Sequence, residues 1–254
     1  MTSSMVSLVL SLVLGLLAVG ATVDAADALA LDPVVAREVA QELEQLEQDE
    51  EAEPRRMTTA AVQGRLRALG YLLGTANGSL DQQTQAAIMA FQRVHGLEVD
   101  GVAGPLTAEA LRGETIEPEL AGGPDDRIEV DLDLQLLHVV EGGERLVTLH
   151  VSSGHGGDYI SSAGNPARAR TAIGEFVIER RIHGIRHAPL GILHDPLYYH
   201  RGFAIHGAPS VPATPASAGC VRVSIADGQW LIDWAPDGLP VHLYGGEHVF
   251  TPRS

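Results

Sequence analysis

The chain has 254 residues, 45% of them hydrophobic, enough for one medium core and a small second one, so one or two soluble globular domains are expected. Its formal net charge is −16, which argues against a nucleic-acid partner and against a broad anionic membrane surface, because both demand clustered cations.

Met5 to Val19 (MVSLVLSLVLGLLAV) is a run of 15 residues without charge, the length of a signal-peptide hydrophobic region. Small-x-small sites follow at Val23-Asp24-Ala25 and Ala28-Leu29-Ala30, although no Lys or Arg precedes the run. An uncleaved anchor is the alternative, which a run this short supports poorly, since a span needs about 20 apolar residues. Residues 1–30 are therefore read as a signal peptide or N-terminal anchor of an exported protein, located in the cell wall, the periplasm or outside the cell. Membrane contact is expected only through this segment, and only if it stays uncleaved. Residues 31–56 follow as an acidic helical linker, with Val35, Val39, Leu43 and Leu46 at three- and four-residue spacing among acids. Export sharpens one feature: Cys220 is the only cysteine. A lone thiol cannot close an internal disulfide in an oxidising compartment. It is either an inert buried hydrophobe or a nucleophile.

Residues 57–113 contain an internal echo. Leu69 to Ile88 and His95 to Leu111 share an apolar-Gly step, then Asn-Gly or Asp-Gly, then a Thr followed by a short Ala-rich helix. Asn-Gly and Asp-Gly mark tight turns, and Thr84 and Thr107 stand where helix N-caps are expected. Three short helices joined by glycine turns follow from this spacing, with Tyr71 and Phe91 as core. The stretch VQGRLRALGYLLGTANGSLDQQTQAAIMAFQRVHGLEVDGVAGPLTAEAL resembles the peptidoglycan-binding domain type 1 family, matching its V-Q-x-x-L-x-x-L-G-Y, T-x-x-A-[IV]-x-x-F-Q and D-G-V-x-G-P-x-T elements in order. The resemblance implies a three-helix module anchoring the chain to peptidoglycan.

The stretch GETIEPELAGGPDD, Gly113 to Asp126, lacks periodicity, and residues 114–126 read as a linker. From Arg127 the texture changes: RIEVDLDLQLLHVV alternates apolar with polar, Glu141-Gly142-Gly143 turns it, and ERLVTLHVSSG, TAIGEFVIERRI and LPVHLYGG continue in the same manner. Residues 127–247 are thus a strand-dominated domain. The fold class is two domains: a small three-helix N-terminal module and a mainly-β domain with one or two short helices.

Within Phe203 to Trp234, a strand ends at His206-Gly207, a loop with three prolines follows, and Cys220 to Val223 is a second strand. Ser224-Ile225-Ala226-Asp227 is a capping-box pattern opening a helix to about Trp234. Two strand ends joined by a stiff loop can set His206 beside Cys220. A thiol of ordinary pKa needs such a base to react at neutral pH, and the amides of Gly219 and Cys220 could hold an oxyanion. The segment resembles the L,D-transpeptidase catalytic domain (YkuD-like) family through Ile205-His206-Gly207, through Ser217-Ala218-Gly219-Cys220-Val221-Arg222, through VSSG (Val151 to Gly154) and through TAIGEF (Thr171 to Phe176). The resemblance spans about residues 127–245. It implies Cys220 as the acyl-enzyme nucleophile and His206 as its base. Gly207, Gly219, Ser217 and Arg222 are implied in oxyanion or substrate binding, Arg222 either orienting a substrate carboxylate or bracing the site. The implied reaction joins the third residue of a wall tetrapeptide to an amine with loss of D-Ala, with no cofactor and no metal. Peptidoglycan stem peptides and glycan are the expected partners, and a monomer is expected. Two positions depart from the family: Ala172 replaces a proline, and Ala218 replaces the histidine two residues before the cysteine.

Two other readings stand beside this one. A wall-binding protein with a decayed site is the first, because of Ala218. The second is a zinc peptidase, because His183, His187, His194, Asp195 and His200 crowd one segment. Gly184, Pro189, Gly191 and Pro196 argue against a single metal-binding helix there, and no H-E-x-x-H motif occurs.

Overall fold

The computed structural model describes residues 56–161 and 163–246, together with Arg37, Ala40, Gln41 and Glu44, whose backbone is helical. The apolar N-terminal run and most of the acidic stretch lie outside the described residues. By compactness the chain divides into Met1–Arg56 and Met57–Ser254, so the helical module and the strand-rich domain belong to one compact unit. Among the described residues no helix is long and apolar enough to cross a membrane.

The module consists of α1 (Thr59–Ala68), α2 (Gln82–Val94) and α3 (Pro105–Arg112). Thr58 caps α1, its side chain accepting from the Ala61 amide, and a proline at the first turn opens α3 where no amide donor is needed. Thr84 and Thr107 are not the caps. Asp81 and Gly104 hold those places, and each helix begins three residues earlier than the threonine suggested. The threonines instead face inward to two glutamines that explain the echo. Gln63 Nε2 donates to Asn77 Oδ1 and Thr84 Oγ1 while its Oε1 accepts from the Gly78 amide. Gln92 Nε2 does the same to Asp100 Oδ1 and Thr107 Oγ1, its Oε1 accepting from Gly101. Each repeat thus seats its turn and its next helix on one buried amide side chain, which satisfies polar groups that burial would otherwise leave costly. Val62, Leu66, Tyr71, Ile88, Phe91 and Leu111 fill the space between the helices, each worth about 1.5–3 kcal/mol when fully buried. Tyr71 and Phe91 meet edge to face at 5.5 Å.

In the second part, one sheet has the order β3 (Glu144–His150), β2 (Leu136–Glu141), β1 (Arg127–Asp131), β12 (Pro240–Tyr244), β6 (Gly174–Val177). Another runs β11 (Val221–Val223), β10 (Phe203–Gly207), β9 (Gly191–His200), β7 (Arg180–Arg181), with β8 (Ile185–Ala188) also on β9. β4 (Asp158–Ile160) and β5 (Pro166–Arg168) form a separate ribbon. Ile128, Val139, Leu149, Leu197, Ile205, Val221 and Val241 join α4 (Ile225–Trp234), through Leu231 and Ile232, in one core. The stretch read as one alternating strand from Arg127 to Val140 is two strands, paired antiparallel. The turn between them carries no Gly or Pro. Asp131 Oδ1 accepts from the amides of Asp133 and Leu134, and Gln135 takes φ 51°, so a side chain does the work that turn residues usually advertise.

Residues 114–126 contain no helix or strand, yet they are strapped down. The Glu129 carboxylate, fully buried, accepts from the amides of Ala121 and Gly122 and from Arg127 Nε at 2.6 Å. Glu117 pairs with Arg145 at 2.6 Å, and Arg145 also donates to Leu69 and Gly70 carbonyls. The Thr148 amide donates to Gly70 O at 2.8 Å. Leu136 packs into the core of the helical module and Leu73 into the core of the β domain.

Candidate active site

β10 and β11 run parallel, pairing Ile205 with Val221, His206 with Arg222 and Gly207 with Val223. Parallel neighbours need a connection that leaves the sheet edge, and residues 208–219 are that connection. His206 and Arg222 are therefore side by side on one face, and Cys220, one residue before β11, lies beside Gly202 and Ala204. The thiol is half-buried and packs against Leu193, Tyr198 and Ala204. Its Sγ donates weakly to Gly202 O at 3.9 Å, and no hydrogen bond to His206 accompanies it. Burial pushes the Cys220 thiol up from its ordinary value, opposed by a hydrogen bond from the Ala204 backbone and the charge of Arg222.

His206 is buried, and its Nδ1 lies 2.8 Å from the carbonyl of Gly207. A carbonyl only accepts, so Nδ1 carries the proton and Nε2 is the basic nitrogen. Burial is the largest cause holding this imidazole down at about 4, with Arg222 and His194 adding to it and the Gly207 hydrogen bond opposing. Gly207 thereby acts through its backbone, and its lack of a side chain has a cause: a Cβ there would sit 2.9 Å from Ile225 Cα at the start of α4.

The approach to Cys220 is built from hydroxyls and one glycine. Ser217 Oγ donates to Cys220 O at 2.5 Å and accepts from the Gly219 amide at 3.0 Å. The Gly219 amide is engaged by that hydroxyl, so a substrate carbonyl would have to displace it to use it. Gly219 has φ 141°, a region essentially confined to glycine. Its carbonyl accepts from Thr171 Oγ1 at 2.9 Å, and Thr171 Oγ1 in turn accepts from the Gly154 amide at 2.9 Å. The Arg222 backbone exchanges two 3.0 Å bonds with Ser152, while its guanidinium supplies the positive charge felt by both His206 and Cys220. Ala218 is half-buried and brings no polar side chain to the loop.

Thr171, Ser152 and Ser153 were not singled out from sequence as site residues. The signal was present in the VSSG and TAIGEF stretches, but only the fold places Thr171 against Gly219 O, Ser152 against Thr214 and Arg222, and Ser153 against Ala216 and Ser217. The histidine-rich segment becomes strands rather than a helix: His187 pairs with Ile192 across a hairpin, His194 lies opposite Gly207, and His200 packs on Phe176 at 4.9 Å. Among the described residues no group of three or more His, Cys, Asp or Glu side chains is placed to hold a metal ion.

A family model described as a putative peptidoglycan binding domain matches residues 58–111, and one described as the L,D-transpeptidase catalytic domain matches residues 125–243. Among solved structures, the L,D-transpeptidase of Xylanimonas cellulosilytica is 39% identical with a TM-score of 0.69, over 74% of this chain and 94% of that one. An L,D-transpeptidase of Stackebrandtia nassauensis is 23% identical, over 74% of this chain and 90% of that one, with a TM-score of 0.45. Among curated proteins, N-acetylmuramoyl-L-alanine amidase CwlM of Mycobacterium tuberculosis is 42% identical over 52 residues, 20% of this chain and 13% of that protein's length.

Proposed function

Because the chain belongs to the L,D-transpeptidase family and carries a peptidoglycan-binding module, we propose that it acts on peptidoglycan stem peptides through a Cys220 thioester. The observation that supports this reading is the parallel register of β10 and β11, which pairs His206 with Arg222, two residues after the half-buried free thiol of Cys220, while His206 Nδ1 is committed to Gly207 O.

His206 Nε2 takes the proton from Cys220 Sγ as the sulfur attacks the carbonyl of the third stem residue. The new S–C bond forms an oxyanion, for which the Cys220 amide is a candidate donor. Collapse breaks the C–N bond to D-Ala, and the imidazolium returns its proton to the leaving amine. An acceptor amine then attacks the thioester and gives its proton to His206, and the S–C bond breaks to regenerate the thiol. With the thiol raised and the imidazole lowered, the resting pair is neutral, so proton transfer accompanies attack instead of preceding it. Arg222, whose charge acts on both His206 and Cys220, either pairs with a substrate carboxylate or braces the site. The apolar run at Met5–Val19 motivates export as the route to this substrate.

Intact-mass spectrometry after incubation with a carbapenem tests the reading. A covalent adduct that disappears in Cys220→Ala supports it, and an adduct at another residue overturns it. A second reading, a wall-binding protein with an impaired site, draws on Ala218 and on the absent thiol–imidazole hydrogen bond. No adduct in the wild type, with adduct formation restored in Ala218→His, would favour that one.

A further inference from the structure

The loop at 208–219 joins the base to the nucleophile, and it is held from two sides. On the β-domain side His150 Nε2 lies 3.1 Å from Pro212 O, Ser152 Oγ donates to Thr214 O at 2.8 Å, and Ser153 O accepts from the amides of Ala216 and Ser217 at 2.9 Å each. The other side is α2 of the helical module. Gln82 Nε2 donates to Ala208 O at 2.8 Å, and an Arg93 guanidinium nitrogen donates to Ala213 O. The same helix reaches α4: Gln83 Nε2 donates to the buried Asp227 Oδ1 at 2.7 Å, and Gln82 Oε1 lies 3.5 Å from the Ile225 amide. The start of α4 is in turn pressed against the His206 strand end, since a Cβ on Gly228 would stand 2.7 Å from Gly207 N. One helix of the module therefore grips the backbone immediately after His206-Gly207, the middle of the loop leading to Cys220, and the helix that backs the histidine.

We propose that Gln82 and Arg93 are positioning residues for acyl transfer: the peptidoglycan-binding module completes the scaffold that holds Ala208–Cys220 against His206, in addition to any part in wall binding. This rests on the reading of Cys220 as nucleophile. Two loop carbonyls are fixed by donors from outside the β domain, one of them cationic and so among the stronger kinds of hydrogen bond. Their loss frees a segment whose displacement by about 1 Å can cost on the order of a hundredfold in rate.

The test uses the full chain with Gln82→Ala, Arg93→Met and Arg93→Lys. The rate of carbapenem acylation at Cys220 is resolved into a saturation constant and a limiting rate constant, and hydrogen exchange is followed at the Ala208, Ala216 and Ser217 amides. In Arg93→Met the limiting rate is expected to fall about tenfold or more with the saturation constant within about twofold. The three amides exchange faster, Arg93→Lys recovers most of the rate, and the unfolding midpoint drops by only about 2–4 °C. Unchanged exchange and unchanged limiting rate in both Gln82→Ala and Arg93→Met overturn the proposal, as does a rate loss that Arg93→Lys fails to recover. If the wild type forms no adduct at Cys220, the functional reading fails separately. The amide exchange then decides positioning: acceleration in Arg93→Met supports it, and no change overturns it.

Discussion

Gly219→Ala is the sharpest probe of how the nucleophile is held. The glycine has φ 141°, where a side chain costs about 1–3 kcal/mol. Its Cβ would lie 2.6 Å from Phe203 Cε1 and 2.8 Å from Arg170 O. The ring can turn away, but the carbonyl is backbone and must retreat by roughly 0.6 Å to reach an ordinary contact, adding about 1–3 kcal/mol of overpacking. Together these approach about 2–6 kcal/mol, a large part of a typical domain stability of about 5–15 kcal/mol. The chain folds at moderate temperature but is strained beside its thiol. Since Gly219 O is pinned by Thr171, the strain passes to Cys220, and a shift of this size is expected to slow acylation by about 10–100-fold. Urea unfolding gives the stability loss, and intact-mass time courses with a carbapenem give the rate. A Gly219→Ala protein with wild-type stability and wild-type acylation would refute the geometry described for this loop.

Thr171→Val keeps the shape but leaves Gly219 O and the Gly154 amide unpartnered, at about 1–3 kcal/mol each, so urea denaturation should report a loss of about 2–6 kcal/mol. Alkylation of Cys220 by iodoacetamide should be slow at pH 7 and keep rising into the alkaline range, because burial raises the thiol and lowers His206; a rate already at plateau by pH 6 would mean a preformed ion pair. His138, His150 and His206 are each held at about 4 by burial, so between there and about 6.5 the unfolded chain takes protons the folded one refuses, and stability falls as pH falls. Asp227, raised to about 6 by burial, works in the opposite direction over part of that window, leaving a net of about two protons and a slope on the order of 3 kcal/mol per pH unit at most; equal urea midpoints at pH 6.5 and 4.5 would contradict this.

What could be read from the sequence follows a physical rule: features encoded within a dozen residues were legible, and features made by distant segments meeting were not. The Ser224 cap over Asp227 is local, and it was visible. So was the alternation that makes strands, and so was the glycine-turn pattern of the module. The caps of α2 and α3 were misplaced because Thr84 and Thr107 satisfy the local rule yet are claimed by Gln63 and Gln92, partners 21 and 15 residues away. The turn before β2 was missed because an aspartate side chain substitutes for glycine there.

The same division runs through the site. His206, Gly207, Ser217, Gly219, Cys220 and Arg222 sit in two short motifs, so the spacing of a strand end, a loop and a strand start was enough to bring them near one another. Nothing in those motifs tells that Thr171 holds Gly219 O, or that Ser152 and Ser153 brace the loop. Nor could the linker-like texture of residues 114–126 reveal that a module of three helices lies against the loop between base and thiol. A proline-stiffened loop still needs its carbonyls placed. Three from Pro212 to Thr214 face His150, Arg93 and Ser152, and the middle one of those partners comes from the module. If the positioning role of Arg93 holds, the boundary between a binding domain and a catalytic domain is a fact about sequence families, while the unit that holds Cys220 in place is larger than either.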